Sequence, residues 1–194
     1  NFAIKHNIPV TQTVMGYSTL KRDHSHYAGQ IGGLGGKNTN TLAKQTDLAI
    51  AVGTKLADFT TGSWANFENK DFKLVSINVS RFDANKHLAQ AVIGDARASL
   101  NELSAALGDW KAPDEWNKKS QVELKSWNEY VDKESAPTNQ EVPSYVQVVG
   151  AVYRNSDPSD IAVTAAGGLV GEVIQVWRPR ELNTHETEWG FSCM

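Results

Sequence analysis
Apolar residues gather early in the chain into short β-branched runs. These are Ile8–Val14, Leu48–Val52, Leu74–Val79 and Ala91–Ile93, each bounded by Gly, Asn, Asp or Ser. Runs of this kind between turn residues predict buried strands. Between and after them the apolar spacing lengthens to the three-to-four of a helix. Asn38–Thr46 predicts a helix behind a glycine-rich stretch, and Asp83–Leu88 a short one. Asp95–Leu107 is the clearest, with Ala96, Leu100, Leu103 and Leu107 on one face and Asp95 at the N-cap. The opening "NFAIKHNIP" reads as the tail of a helix entering a strand. Alternating strands and helices predict a parallel sheet with helical crossovers. Residues 1–108 therefore read as a small α/β, Rossmann-like domain.

The pattern changes after Gly108. Up to Glu141 the chain carries Trp110, Trp116 and Trp127 among many charges, punctuated by Pro113 and Pro137. Trp116, Leu124, Trp127 and Val131 predict an amphipathic helix lying on a neighbouring surface, the tryptophans serving as packing anchors. Residues 109–141 read as a linker containing that helix. A second unit, residues 142–194, begins near Pro143. Tyr145, Val148, Val149 and Val152 mark one helical face, Ile161–Thr164 a strand, and "AAGGL" a turn of small residues after it. One strand with no partner cannot bury a core alone, and both chain ends fall within apolar or structured patterns. The sequence therefore reads as a fragment of a longer chain.

Composition narrows the function classes. The 194 residues are 40% hydrophobic and 21% charged, ordinary for a globular protein. A net charge of -3 gives no broad attraction to nucleic acid or anionic lipid. No apolar run is long enough to span a membrane, and the N-terminus lacks the layout of a signal peptide. The one cysteine, Cys193, excludes an internal disulfide and fits a reducing cytoplasm.

The candidate chemistry starts with "GQIGGLGGKNTNT", Gly29–Thr41. A triphosphate-binding loop needs G-x-x-x-x-G-K-[ST], but Ile31 stands at the first glycine and Asn38 follows Gly36-Lys37. The dinucleotide fingerprint G-x-G-x-x-G fails because Gly33 and Gly35 are followed by Asn38, and Leu74–Ser80 ends without a carboxylate for a ribose. The glycines read as positions of close packing and positive φ. Asp23-His24-Ser25-His26 lacks a third ligand at zinc spacing and reads as a polar loop. "AAGGL" after a strand offers free backbone N–H groups to an anion.

Longer stretches resemble a known family. "GQIGGLGGKNTNTLAKQTDLAIAVGTKLADFTTGSW" resembles the central domain of thiamine-diphosphate-dependent enzymes such as acetolactate synthases and pyruvate oxidases. There a glycine-containing loop and a helix precede an apolar strand that ends in Gly-Thr-Arg and an Asp. Here Thr46–Asp58 follows that pattern, with Lys55 in place of Arg. "LVSINVS" and "VIGDARASLNEL" are similar to the next strand and the closing helix, so the match covers about the first 108 residues. "IAVTAAGGL" stands where relatives carry an apolar strand and then Asp-Val-Gly-Gln-His, and "GFSCM" where they carry Gly-Leu-Gly-Thr-Met.

The resemblance implies thiamine diphosphate with Mg²⁺ as cofactors. It places Gly167, Gly168 and Leu169 at the diphosphate. Cys193 and Met194 would lie at the thiamine, with Met194 as the apolar prop. Gly168 and Leu169 replace a Gln and a His, so backbone N–H groups would have to make the contacts. His185, Glu186 and Glu188 become candidates to face substrate, because they lie between the two cofactor-matching segments. The activating glutamate belongs to a preceding domain and the Mg²⁺ motif to a following one. The chain is therefore expected to hold no catalytic residue and no metal ligand, and to be inactive alone. "GEVIQVWRP" and "NTHETEWGFSCM" look most like the branch that opens a cyclic 1,2-diketone with water, giving a deoxy-glucuronic acid in inositol breakdown. The implied partners are a small-molecule substrate and further copies of the chain, as a dimer or tetramer. Two alternatives stay open: an acetolactate-synthase-like carboligase, and a module holding FAD or a nucleotide at Gly32–Lys37.

Overall fold
A computed structural model describes residues 1–188. It shows an α/β fold of parallel sheets flanked by helices. The chain runs α1 (Phe2–His6), β1 (Val10–Gln12), a 3-10 turn (Val14–Gly16), β2 (Tyr27–Gln30), α2 (Lys37–Gln45), β3 (Leu48–Val52) and α3 (Asp58–Thr61). It continues through β4 (Lys73–Asn78), α4 (Arg81–Ala84), a 3-10 turn (Lys86–Leu88), β5 (Gln90–Ile93) and α5 (Ala96–Leu107). Then come α6 (Asp114–Glu134), α7 (Tyr145–Asn155), β6 (Ala162–Thr164), α8 (Gly168–Val176) and β7 (His185–Thr187). β1 pairs with β2, β3–β4–β5 form a second sheet in that order, and β6 pairs with β7, every pair parallel. Parallel neighbours need long crossovers: α3, α4 and α8 lie in those of β3–β4, β4–β5 and β6–β7, while β1 and β2 are joined by the Val14–Gly16 turn and the loop after it.

Local chemistry explains most boundaries. The Asp95 side chain accepts from Ala98 N–H and starts α5. Ser144 and Gln147 form a reciprocal capping box at α7. His6 is fully buried, its Nδ1 2.8 Å from Trp110 O and its Nε2 2.8 Å from Ser104 Oγ, which ties α1 to the end of α5 and the segment beyond it.

Several expectations change. The first strand is shorter than Ile8–Val14, because Val14 already begins the 3-10 turn capped by Thr13. The helix over Asp83–Leu88 is broken: α4 stops at Ala84, and His87 takes φ 60 inside the following turn. α7 buries Val149 and Gly150 and leaves Tyr145, Val148 and Val152 exposed. Its inward face also includes Val146 and Tyr153, so only Val149 of the expected face points to the core. The Ile161–Thr164 strand does have a partner, β7, which its polar His-Glu-Thr sequence disguises.

The amphipathic helix after Gly108 is the 21-residue α6, burying Ser120, Leu124 and Val131. It covers β2, with Gln121 Nε2 donating to Tyr27 O at 3.0 Å. α8 is wedged between the two halves of the molecule. Val173 and Val176 join Val131, Val149 and Trp177 in one apolar cluster. Val170 and Ile174 pack on Val14 and Leu34 in another.

Candidate functional site
In the glycine-rich loop before α2 the glycine N–H groups are turned to acceptors within the protein. Gly32 N–H donates to Asn40 Oδ1 at 3.1 Å, Gly33 N–H to Phe59 O at 2.7 Å, and Gly36 N–H to Gln30 O at 3.0 Å. Gly35 N–H closes onto Gly32 O at 2.9 Å. Backbone also passes close to backbone here. A Cβ on Gly32, at φ +125, would stand 2.4 Å from Phe59 O, and one on Gly35 would stand 2.3 Å from Gln30 O. Glycine is required because there is no room for a side chain.

The second glycine turn is of the opposite kind. β6 ends at Thr164 and the chain enters α8 through Gly167, at φ 118 and ψ 179, a conformation that L side chains rarely adopt. Among the described residues, a Cβ on Gly167 would meet nothing within 4 Å. The first N–H groups of α8, at Gly168 and Leu169, have no partner within the helix, and the positive end of the helix dipole lies there. The nearest side chain to Gly168 is the Tyr145 ring at 4.0 Å, and Leu169 is partly exposed. An open helix start at the carboxyl end of a parallel strand is where α/β proteins bind anionic ligands.

β7 brings a second segment to the same end. Its register sets Ala162 opposite His185, Val163 opposite Glu186 and Thr164 opposite Thr187. Thr164 Oγ1 donates to Thr187 Oγ1 at 2.9 Å, and Glu188 N–H donates to Thr164 O at 2.9 Å. Exposed Glu188 therefore sits at the strand end from which the glycine turn departs. Glu186 is exposed, on the opposite face of β7 from His185 and Thr187. His185 lies at the start of the strand, buried, its ring edge-on to Tyr17 with centroids 5.0 Å apart. Its Nε2 has no hydrogen-bond partner among the described residues, and burial pushes its pKa below the ordinary 6.5. The structure thus sets Glu188 beside Thr164, three residues before Gly167, and His185 at the other end of β7. Cys193 and Met194 lie outside the described residues. The Thr164–Thr187 pair escaped the sequence reading because three polar residues carry no strand signal.

The His24-Ser25-His26 loop is held by protein contacts: His26 Nδ1 lies 2.9 Å from Ser25 Oγ, its Nε2 3.1 Å from Asn7 Oδ1, and its carbonyl accepts from Val10 N–H at 2.7 Å. Among the described residues no group of three or more His, Cys, Asp or Glu is placed to hold a metal ion.

Residues 1–103 match the family described as thiamine pyrophosphate enzyme, central domain. The chain belongs to this family. The β1–β5 region is thus the Rossmann-like central domain of a thiamine pyrophosphate enzyme. The whole chain is also similar to proteins named 3D-(3,5/4)-trihydroxycyclohexane-1,2-dione hydrolase. The one from Geobacillus thermodenitrificans is 33% identical over 214 residues, covering 100% of this chain and 33% of the relative. The one from Clostridium tetani is 34% identical over 220 residues, covering 100% and 34%. The chain therefore spans about a third of the length of these relatives. No helix among the described residues is long and apolar enough to cross a membrane.

Proposed function
We propose that this chain is part of a cytoplasmic, thiamine-diphosphate-dependent hydrolase that cleaves a C–C bond of a trihydroxycyclohexane-1,2-dione, yielding 5-deoxy-glucuronate in inositol breakdown. One observation carries the reading: similarity to hydrolases named for that diketone runs through all of the chain, beyond the 103 residues of the central domain. The glycine turn fits the cofactor's anionic end. Gly167 supplies a backbone conformation that L side chains rarely adopt, and Gly168 and Leu169 open α8 with N–H groups that have no partner within the helix.

When bound, the cofactor supplies a nucleophilic thiazolium carbon that can take up the electron pair of the breaking C–C bond. The chain's own part is to hold and orient. The Gly168 and Leu169 N–H groups would hold the diphosphate, where the family resemblance would put a Gln and a His. The Thr164–Thr187 hydrogen bond fixes β6 against β7, so the turn and Glu188 keep their relative place. Among the described residues, exposed Glu188 and Glu186 would be available to face substrate, and the family resemblance assigns Cys193 and Met194 to the thiamine. His185, buried behind Tyr17, positions β7. Mg²⁺ would take its ligands from the remainder of the protein. The exposed side chains of Val79, Phe82 and Leu88 fit burial against another copy, consistent with a homo-oligomer.

The test uses the intact protein with thiamine diphosphate and Mg²⁺. Loss of the diketone, followed by NMR, should yield a carboxylic acid with one proton released per turnover. Carboligation of pyruvate with no consumption of the diketone would overturn the assignment. Gly167→Val should raise the thiamine diphosphate dissociation constant at least about tenfold while the fold is kept. An FAD or nucleotide held at Gly32–Lys37 would find the four glycine N–H groups of that loop already engaged, which counts against that reading.

A further inference from the structure
A cleft of about 650 Å³ opens where the Lys21–Asp23 loop meets α6, α7 and the segment after α8. It is far from the glycine turn. Gly168 and Arg178 bracket the nine residues of α8, about 13 Å of helix at 1.5 Å per residue. The volume is that of a small-molecule site.

Its lining is unusual in charge and in how the charge is held. Arg178 and Arg180 both stand over the Tyr153 ring, at 5.6 and 4.8 Å from its centroid. Asp132 beside Arg178 offsets part of their mutual repulsion, and Ser156 O and Oγ hold the Arg180 terminal nitrogen at 2.8 and 2.6 Å. Arg178 pairs with Asp132 through one terminal nitrogen, while its Nε is buried and has no partner among the described residues. That Nε is buried out of reach of a ligand, so Arg178 can meet one only through its terminal nitrogens. Arg22 is held in place from behind, by Asn128 Oδ1 at 2.9 Å and the Tyr27 hydroxyl at 3.3 Å. Lys21 pairs with Glu181 at 3.4 Å across the mouth.

Four cations are set against three carboxylates, Asp23, Asp132 and Glu181. A bare phosphate would meet those carboxylates at a cost. A ligand with one carboxylate and several hydroxyls would use both sets: its acid on the guanidinium groups, its hydroxyls donating to the Asp and Glu oxygens and to Asn128. We propose that this cleft binds a polyhydroxylated carboxylic acid of sugar-acid size, at a site separate from the cofactor turn. The product proposed above is of this class. The site rests on its own geometry, and its test reads binding without turnover.

The test is calorimetry on the intact protein with glucuronate, acetate and inorganic phosphate as probes. Glucuronate should bind at least about tenfold more tightly than acetate or phosphate. Arg180→Ala, at an exposed position where misfolding is not expected, should weaken glucuronate about tenfold. Lys44→Ala, which removes an exposed cation elsewhere, and Gly167→Val at the cofactor turn should both leave glucuronate affinity unchanged. Absence of glucuronate binding would overturn the site, and so would an unaffected Arg180→Ala variant. Equal affinity for acetate or phosphate would show a plain anion patch and overturn the sugar-acid assignment. Loss of binding in Gly167→Val would move the ligand to the cofactor end.

Discussion
His185 carries a buried imidazole whose Nε2 finds no acceptor or donor among the described residues. Packing against Tyr17 holds the ring, and burial favours its neutral form. The sign of the consequence follows from linkage. The folded pKa is below the unfolded 6.5, so the unfolded chain binds the proton first as pH falls. This group's contribution is complete above pH 6.5 and is lost as pH falls through the lowered folded value. His185→Phe keeps an aromatic edge for Tyr17 and removes the unmet nitrogen. The variant should be at least as stable as the parent at pH 7.5 and lose less stability between pH 7 and 5, as read by urea unfolding. An identical pH slope in both proteins would refute the account. His26, also lowered mainly by burial, remains in both and cancels in the comparison. At Gly35 the expected effect is steric: Gly35→Ala drives a Cβ into the Gln30 carbonyl and should cost at least about 2 kcal/mol in the same assay.

At the scale of elements, what could be read from sequence was whatever carried its own local signal. β3, β4, β5 and α5 have β-branched runs or a capped 3.6 period, and they appear within a residue or two of expectation. β2 is Tyr-Ala-Gly-Gln, buried at every position, with no β-branched residue and a glycine-rich tail. Only its pairing with β1 and the cover of α6 make it a strand, and neither is local. β7 is hidden for the same reason, and with it the strand end that sets Glu188 beside Thr164. The inward face of α7 was misjudged because valines occupy both sides of it, so periodicity alone could not choose. Its start, by contrast, is chemically explicit: Ser144 accepts from Gln147 N–H while Gln147 returns to Ser144 N–H at 2.8 Å. Ser144→Ala should destabilise the protein by about 1 kcal/mol, and Ser144→Asp should restore most of it. Equal midpoints for Ala and Asp variants would show that the cap does not matter here.

At the scale of the molecule, the proposed reading makes the described residues one side of a cofactor site. The helix start at Gly168 can bind a diphosphate through backbone N–H groups, yet no cluster of metal ligands accompanies it among the described residues. A diphosphate bound there without its cation keeps its charge against one helix terminus, worth about 0.3–1 kcal/mol per charge when exposed. Leu169, Tyr145, Val148 and Val163 remain open to solvent around it, so the apolar thiamine end has little to rest on. Calorimetry should therefore find thiamine diphosphate binding to these 194 residues weaker than about 1 mM, with Mg²⁺ making little difference. The intact protein should bind it in the micromolar range and respond strongly to Mg²⁺. Micromolar, Mg²⁺-dependent binding by the 194 residues alone would mean that the chain holds metal ligands and a thiamine wall of its own, and the division of labour proposed for the site would have to be abandoned.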